Sequence, residues 1–221
     1  MIEDSFDLLC SLKKAGFMRD LRDPLWWPNS GSYEVVIGAI LTQQTKWEKV
    51  EKSLRNLKEA GVDSLDKIAD LDSKTLAKLI KPSGFYNTKA KYLLGISRAI
   101  IKDFGDFENF SEEVSRDWLL SQKGLGKESA DSILCYGCKR DVMVADAYSY
   151  RLLKELGFEY EEYDDIANWL KEGVARNLEN VERLYEKEMS LNEIYALFHG
   201  EIVEYCKNNS KGKRVDITHL L

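Results

Sequence analysis

The chain has 221 residues, of which 44% are hydrophobic, and it carries a net charge of −6. This length accommodates one large or two small domains with a substantial core. Apolar runs stay short of the roughly 18 residues that span a bilayer, and the first residues lack the basic region of a secretory signal. We therefore expect a cytoplasmic protein without membrane contact. The four cysteines are too few for a disulfide scaffold.

The negative charge is concentrated in one part of the chain. Residues 155–204 contain 14 acidic and 4 basic side chains, whereas residues 41–140 contain 18 basic and 15 acidic ones. Net acidity argues against a generic nucleic-acid binder. Because the middle of the chain is mildly basic, that region is still compatible with binding a phosphate backbone.

Few prolines and apolar residues spaced three and four apart predict an all-α protein. The first amphipathic helix is expected to end near Gly16, an aromatic loop follows at 23–31, and Ser32 is a candidate cap for the next helix. Beyond it, helices are predicted at 46–60, 64–68, 73–76, 88–102, 111–121, 127–138, 146–156, 164–178 and 190–207. The polar tail that follows is expected to fray.

A Gly-Leu-Gly turn joins the predicted helices 111–121 and 127–138. Glycines let a backbone approach a ligand closely, and the next helix N-terminus supplies oriented N–H donors. We expect this hairpin to bind a DNA phosphate, and a monovalent cation at its carbonyl groups is compatible with the pattern; the alternative is an ordinary packing corner. The residues assigned to this contact are Gly124, Leu125, Gly126, Lys127 and Ser129.

Four ordered motifs resemble the endonuclease III superfamily of DNA glycosylases. They are Leu41-Thr42-Gln43-Gln44-Thr45, Gly84-Phe85-Tyr86-Asn87-Thr88-Lys89-Ala90, the hairpin segment 120–130, and residues 144–151 around Val144-Ala145-Asp146. A narrower resemblance points to the bacterial 3-methyladenine DNA glycosylase III group. It is carried by Trp26-Trp27-Pro28, residues 82–87, residues 123–131 and Phe198-His199-Gly200.

The resemblance implies a two-lobed helix–hairpin–helix glycosylase fold with a DNA cleft between the lobes. One lobe is expected to be a helical barrel at residues 32–144, which contains the helix–hairpin–helix segment 111–138. The other would combine residues 1–31 with residues 145–221. Double-stranded DNA with damaged bases is the expected partner, and a monomer is expected.

Asp146 is the expected catalytic residue. A carboxylate stabilises the positive charge that develops on deoxyribose as the N-glycosidic bond breaks, and it can orient or deprotonate the attacking water. The same residue also fits as the N-cap of the helix that follows. Gln44 resembles the residue that fills the gap left by an extruded base, although a plain surface glutamine fits the pattern nearly as well.

A flipped, positively charged methylated purine needs flat aromatic walls. The resemblance places Trp26, Pro28 and Trp47 in this base pocket, and Trp27, Glu128 and Glu201 are the further residues assigned to it. Among the tryptophans, Trp26 and Trp47 are favoured over Trp27, and one of the three is expected to be structural. Lys89 and Lys91 are candidate phosphate contacts. Both histidines are interpreted as structural or tail residues.

Two departures from endonuclease III refine the expectation. Bifunctional members carry a catalytic lysine where this chain has Glu128, so we expect no Schiff base and no strand cleavage. Many members hold an iron–sulfur cluster on four C-terminal cysteines, but only Cys206 follows Asp146 here, so we expect no cluster and no other metal. Cys135 and Cys138 are expected to pack behind the hairpin.

The resulting hypothesis is a monofunctional DNA glycosylase of base excision repair that removes alkylated purines, 3-methyladenine first, after base flipping. One alternative is an adenine-mismatch or other damaged-base glycosylase. A second is a lesion- or DNA-binding protein without catalysis. A third, an abasic-site lyase, conflicts with the glutamate at position 128.

Overall fold

The computed structural model describes residues 2–18 and 23–221, and it is built almost entirely of helices. Within the predicted N-terminal segment 1–31, residues 1 and 19–22 lie outside the described ones. In chain order the α-helices are α1 (Ser5–Ala15), α2 (Glu34–Leu41), α3 (Trp47–Glu59), α4 (Leu65–Ala69), α5 (Ser73–Leu79), α6 (Tyr86–Phe104), α7 (Phe107–Glu113), α8 (Arg116–Ser121), α9 (Lys127–Ser132), α10 (Ala147–Glu155), α11 (Tyr163–Arg176), α12 (Leu178–Tyr185) and α13 (Leu191–Asn209). A 3₁₀ turn (Lys81–Ser83), a π-helical turn (Ile133–Gly137) and two short strands, β1 (Ser210–Lys211) and β2 (Arg214–Val215), complete the described structure.

The chain divides into two compact units. One combines the described residues up to Pro28 with Lys139–Leu221, and the other is Asn29–Cys138. In the first unit, α1 packs on α11 and α13, and α10 packs on α13. Gly173 allows the close approach of α1 to α11, because an added Cβ would lie 2.6 Å from Ser5 Oγ. That hydroxyl accepts a hydrogen bond from Val174 N at 3.1 Å.

In the second unit, α6 is the central helix and contacts α2, α4, α5 and α7. Its buried side chains recur at helical spacing, which explains why this stretch folds as one long helix with an apolar face. The helix α2 is buried along nearly its whole length and packs on the π-helical turn that follows α9. Because α2 also contacts α6 and α9, it joins the core around α6 to the helix–hairpin–helix segment.

Several predicted boundaries are wrong for identifiable reasons. The helix predicted at 111–121 is broken, because Val114 is extended and Ser115 caps a new helix by accepting from Trp118 N at 3.1 Å. The helix predicted at 127–138 widens into the π-helical turn after α9. The separate helix α12 was not predicted.

The C-terminal tail does not fray as predicted. The strands β1 and β2 form an antiparallel pair, and Val215 and Leu220 are buried in the core of the first unit. Tyr205 donates its hydroxyl proton to the backbone oxygen of Asp216 at 2.7 Å. A few apolar side chains and one buried tyrosine are enough to dock a polar segment. Across the described ranges 2–18 and 23–221, the helices are too short or too polar to span a bilayer.

Candidate active site

Asp146 is the N-cap residue of α10, as its pattern predicted. Its Oδ1 accepts hydrogen bonds from the N–H groups of Tyr148 and Ser149, both at 2.9 Å, and from Ser149 Oγ at 3.2 Å. These bonds satisfy helix donors that would otherwise be unpaired. The second oxygen, Oδ2, lies 3.7 Å from Nε2 of His199. One oxygen thus fixes the side chain to the helix while the other faces a second polar group.

The environment of Asp146 keeps its carboxyl group ionised. Burial by itself would raise the pKa, but the adjacent His199 and the hydrogen bonds from Ser149 outweigh it, so the pKa of Asp146 lies below its ordinary value. The side chain is 14% exposed. A charged carboxylate held in place at the edge of a buried region is the group needed to stabilise a developing positive charge.

His199 belongs to this site, although the sequence indicated only a structural histidine. Its side chain is 4% exposed on α13, and its ring contacts the ring of Trp26 edge to face, with centroids 5.4 Å apart. It therefore contacts both the carboxylate of Asp146 and the aromatic loop. The one available signal was its place in the segment Phe198-His199-Gly200, since a lone histidine on an apolar helix is typical of a core.

Trp26 is held in place by polar and aromatic contacts. Its Nε1 donates to Glu204 Oε1 at 3.1 Å, and Lys207 Nζ lies 3.0 Å from the same oxygen and 5.5 Å from the Trp26 ring centre. The backbone of Trp26 has a φ of 68°, which is uncommon for a bulky residue. The indole is half-buried. An anchored and partly accessible ring on a strained backbone is suited to contact a ligand.

Trp27 and Pro28 have different surroundings from Trp26. Trp27 is buried and contacts Trp26 edge to face, with ring centroids 6.3 Å apart. Pro28 is half-buried at the end of the same loop. Trp27 therefore supports Trp26 from the side, and the participation of Trp27 and Pro28 in a base pocket stays a prediction.

Gly200 is the reason that Trp26 can pack against α13. A Cβ added at this position would lie 2.6 Å from Trp26 Cγ and 3.0 Å from Met18 Sδ. Real Cβ atoms do not approach other atoms so closely, so any larger residue must displace the indole. The pair formed by Gly200 and Trp26 thus fixes how the aromatic loop meets the helix that carries His199.

Glu201 follows Gly200 on α13 and is buried. Its Oε1 lies 3.8 Å from Lys13 Nζ of α1, and that ammonium group lies 4.1 Å from the ring centre of Tyr185. Burial raises the pKa of Glu201 to about 7, against an opposing effect of Lys13. The contact of Glu201 with a flipped base stays a prediction.

We expect the stability of the protein to fall between about pH 4.5 and about pH 7 because of Glu201. A glutamate whose pKa is raised by folding contributes stability that is complete below its unfolded pKa and is lost as the pH rises through about 7. In urea unfolding, Glu201→Gln should reduce this pH-dependent loss by about 2–3 kcal/mol. Glu172→Gln, at an exposed glutamate of α11, is the control. Equal pH slopes in wild type and Glu201→Gln would contradict the expectation.

The predicted hairpin is formed in the second unit, between α8 and α9. Gly124 has a φ of 94°, and an added Cβ would lie 2.3 Å from Cδ2 of Tyr92. Its carbonyl oxygen accepts from Gln43 Nε2 at 2.9 Å, and the same amide lies 3.1 Å from Ser129 Oγ. Gln43, which the sequence did not single out beside Gln44, therefore ties the end of α2 to the hairpin.

The remaining hairpin residues are distributed between core and surface. Leu125 is buried, as is Ser129, whereas Gly126 is exposed and Lys127 is half-buried. Behind the turn, Arg116 donates two hydrogen bonds to the carboxylate of Asp131, at 2.7 and 2.9 Å. This bidentate pair joins α8 to α9, so the hairpin is fixed from behind. Phosphate binding by this turn stays a prediction, as does a bound cation.

Gly124→Ala should destabilise the protein far more than Gly126→Ala. Alanine at position 124 meets both a left-handed backbone and the Tyr92 ring, and together these cost about 2–4 kcal/mol. Position 126 has an ordinary φ of −103° and open space for a methyl group. Thermal unfolding of the two variants checks this directly. Similar melting temperatures would show that the hairpin adapts more easily than its geometry indicates.

Two further turns of the second unit present exposed residues in strained conformations. Gln44 is exposed with a φ of 53°, and Phe85 is 68% exposed with a φ of 45°. A left-handed conformation costs a residue with a side chain about 1–2 kcal/mol. The sequence did not predict Phe85 as a site residue, although it lies in the quoted segment 84–90. An exposed phenylalanine held against backbone strain is a candidate for function.

The prediction that Lys89 contacts phosphate is wrong. The side chain is 3% exposed, and Nζ donates at 2.8 Å to each of Leu41 O, Thr45 Oγ1 and Ser83 O. Its three N–H bonds are therefore satisfied inside the protein. The sequence predicted an exposed lysine at position 89 because lysines are seldom buried. It shows no acidic partner that would indicate a buried ion pair.

The other predicted residues of this unit lie as follows. Trp47 is half-buried at the first position of α3, Glu128 is exposed in the first turn of α9, and Lys91 is exposed on α6. Cys135 is buried in the π-helical turn and Cys138 is half-buried just after it. Among the residues that the structure describes, histidines, cysteines and carboxylates do not form a group of three that could hold a metal ion.

Comparison with known sequences supports the helix–hairpin–helix assignment. The family model of the HhH-GPD superfamily of base excision DNA repair proteins matches residues 37–176. A candidate DNA repair glycosylase of Methanocaldococcus jannaschii is 38% identical over 195 residues, which cover 85% of this chain and 82% of that protein. Endonuclease III of Thermotoga maritima is 27% identical over 179 residues, covering 81% and 75% of the two chains.

Solved structures agree with the sequence comparison. The 3-methyladenine DNA glycosylase of H. pylori, bound to 1,N6-ethenoadenine, is similar with a TM-score of 0.91 and 49% identity over 94% of this chain and 99% of that one. An endonuclease III in a trapped covalent complex with DNA has a TM-score of 0.71 at 17% identity, over 98% and 92%, and so shares the fold.

The all-α helix–hairpin–helix glycosylase fold predicted from the sequence is thereby confirmed. A family match of this extent, together with a relative of 38% identity along most of both chains, also establishes the chemistry of the family: the protein is a DNA glycosylase whose partner is damaged DNA. The chain belongs to the HhH-GPD superfamily of base excision DNA repair proteins.

Proposed function

We propose that the protein is a monofunctional glycosylase that hydrolyses the N-glycosidic bond of alkylated purines, 3-methyladenine first, after base flipping. The observation that carries this proposal is the 49% identity, along nearly the whole of both chains, with the H. pylori 3-methyladenine glycosylase. The products are the free base and an abasic site in an intact strand. The protein works in the cytoplasm, at the nucleoid where genomic DNA lies, and it works as a monomer.

Asp146 carries the chemistry in this proposal. As the glycosidic bond of an alkylated purine breaks, positive charge moves to the sugar, and the carboxylate stabilises it or positions the attacking water. A purine methylated at N3 or N7 already bears positive charge and leaves without a strong acid. This fits a site in which the pKa of Asp146 is lowered and the neighbouring side chain is a buried imidazole.

Trp26 is the proposed stacking surface for the extruded base. A cationic purine gains more from the face of an indole ring than a neutral base does, by about 0.5–2 kcal/mol. Trp47, Pro28, Trp27, Glu128 and Glu201 are the further proposed pocket residues. The carboxylate of Glu128 is suited to a cationic base or an exocyclic amine, because it is exposed on the first turn of α9.

The exposed residues of the second unit supply the proposed DNA contacts. The hairpin at Gly124 and Gly126 offers backbone donors to phosphate, and Lys127 and Ser129 follow at the start of α9. Gln44 fills the space of the extruded base. Phe85 adds an apolar wedge, because exposed apolar side chains that enter a duplex unstack and kink it.

We expect borohydride to trap no covalent complex between this protein and DNA. Trapping needs an amine that forms a Schiff base, and the position after Lys127 is occupied by Glu128. The assay incubates protein with a duplex containing an abasic site, adds borohydride and resolves the products by denaturing electrophoresis. A shifted protein–DNA band would show lyase chemistry and would contradict the monofunctional assignment. The proposed protein carries no iron–sulfur cluster, because residues 146–221 contain one cysteine, Cys206.

Substrate class is tested with duplexes that each contain one modified or mismatched base. We expect release of 1,N6-ethenoadenine and 7-methylguanine, and no release of adenine opposite 8-oxoguanine or of thymine opposite guanine. Release of mismatched adenine alone would favour the adenine-mismatch alternative. Tight binding without release of any base would favour a DNA-binding protein that lacks catalysis.

A further inference from the structure

The turn that presents Gln44 is held from below by a buried lysine. Lys89 Nζ donates at 2.8 Å to Leu41 O, at the end of α2, and at 2.8 Å to Thr45 Oγ1, directly after Gln44. These two acceptors flank Gln44, whose φ of 53° is unfavourable for a residue with a side chain. Both ends of this short strained turn are therefore fixed to one ammonium group.

The same lysine holds the turn that presents Phe85. Its Nζ donates to Ser83 O at 2.8 Å, and its backbone N–H donates to Phe85 O at 3.0 Å. The hydroxyl of Thr45 also donates to Ser83 O, at 2.5 Å, and so joins the two turns directly. Lys89 thus contacts residues on either side of Gln44 and the carbonyl oxygens of Ser83 and of Phe85 itself.

A further hydrogen bond extends this arrangement to the hairpin. Gln43, the neighbour of Gln44, donates its amide hydrogen to Gly124 O at 2.9 Å. The Gln44 turn, the Phe85 turn and the hairpin are therefore joined by polar contacts that are buried or partly buried. These contacts run from Phe85 through Lys89 and Thr45 to Gln43 and the hairpin.

Packing alone does not account for a lysine at position 89. All three acceptors of Nζ are neutral oxygens, and burial lowers the pKa of Lys89 to about 8. A methionine of similar length would fill the same space without the desolvation penalty of a buried charge. Burying the ammonium group costs desolvation free energy. In return, its hydrogen bonds hold three acceptor oxygens at fixed positions relative to one another.

We propose that Lys89 is a positioning residue that holds the Gln44 and Phe85 turns at a fixed spacing, so that both side chains enter the duplex together when a base is extruded. The inference deepens the proposed function, on which it rests for the entry of these turns into DNA. Lys89 itself contacts no substrate.

The test uses a duplex with a tetrahydrofuran abasic analogue opposite 2-aminopurine, whose fluorescence rises when it unstacks. With saturating protein, Lys89→Met should lower the fluorescence rise by at least about threefold, because the two turns no longer enter in register. Lys102→Met removes an exposed lysine from the same helix and should leave the signal unchanged. Lys89→Arg should recover part of the signal, since a guanidinium can reach some of the same oxygens.

Several outcomes would overturn the inference. They are a full signal in Lys89→Met, equal losses in Lys89→Met and Lys102→Met, or no signal from a wild-type protein that binds the duplex. If Lys89→Met does not fold, Thr45→Val serves instead: it removes the hydroxyl between the turns and should also lower the signal, and a full signal would again contradict us. The probe contains no alkylated base, so a failure to release alkylpurines would reject the proposed function separately.

Discussion

Asp146→Asn is expected to abolish nearly all base release while leaving DNA binding intact. Asparagine caps a helix as well as aspartate does, so the bonds from Tyr148 and Ser149 to Oδ1 persist. What is lost is the negative charge, and with it the stabilisation of the sugar cation. Release of 3-methyladenine from methylated DNA should slow by about 10²- to 10⁴-fold, while the free energy of unfolding changes by about 1 kcal/mol or less.

The chain provides a matched control for this substitution. Asp4 caps α1 in the same unit, and its Oδ1 accepts from Phe6 N at 2.9 Å and from Asp7 N at 3.0 Å. Asp4→Asn therefore makes the same chemical change at an equivalent cap and should leave the rate within about twofold of wild type. If Asp146→Asn and Asp4→Asn behave alike, Asp146 is a structural cap and the catalytic carboxylate lies elsewhere.

Gly200→Ala is expected to have the second largest effect on activity. Its methyl group would lie 2.6 Å from Trp26 Cγ, so the indole must leave its contacts with Glu204 and His199. A displacement of about 1 Å at a stacking surface can cost about 100-fold in rate. We expect release of 3-methyladenine from methylated DNA to fall by about 10- to 100-fold, and tryptophan fluorescence should report the altered surroundings of Trp26.

Gly95→Ala is the control for Gly200→Ala. Both glycines lie inside 19-residue helices, but a methyl group at position 95 meets nothing within 4 Å. Alanine is the better helix former by about 1 kcal/mol, so Gly95→Ala should stabilise the protein slightly and leave its activity unchanged. An active Gly200→Ala protein with unaltered fluorescence would show that the position of Trp26 does not matter for catalysis.

The helical architecture could be predicted because local signals agreed with one another. Apolar spacing identified the long helices, and the glycines marked the hairpin. Asp146 was predicted as a helix N-cap and as part of a sequence motif, and it is the N-cap of α10. The helix boundaries that were predicted wrongly lie where two local backbone conformations are similar in free energy. Ser115 caps a new helix where the prediction continued the previous one. The segment after α9 forms a π-helical turn, with hydrogen bonds between residues five apart. Neither feature has a strong sequence pattern.

The contacts of the candidate site were harder to predict, because they join residues far apart in the chain. The bond between Trp26 and Glu204 spans 178 residues, and the bond between Gln43 and Gly124 spans 81. Nothing in the local sequence of His199 shows that it meets Asp146. Lys89 is the clearest case: its residue type favours the surface, and its burial follows from three oxygens that only the folded chain brings together.

Base release from methylated DNA tests the central proposal most directly. DNA treated with a methylating agent is incubated with the wild-type protein, and the released bases are separated by chromatography. We predict a 3-methyladenine peak that grows with time and protein concentration, in strands that stay intact. The absence of every methylated base from the released fraction, with DNA binding retained, would contradict the assignment of this site to alkylpurine excision.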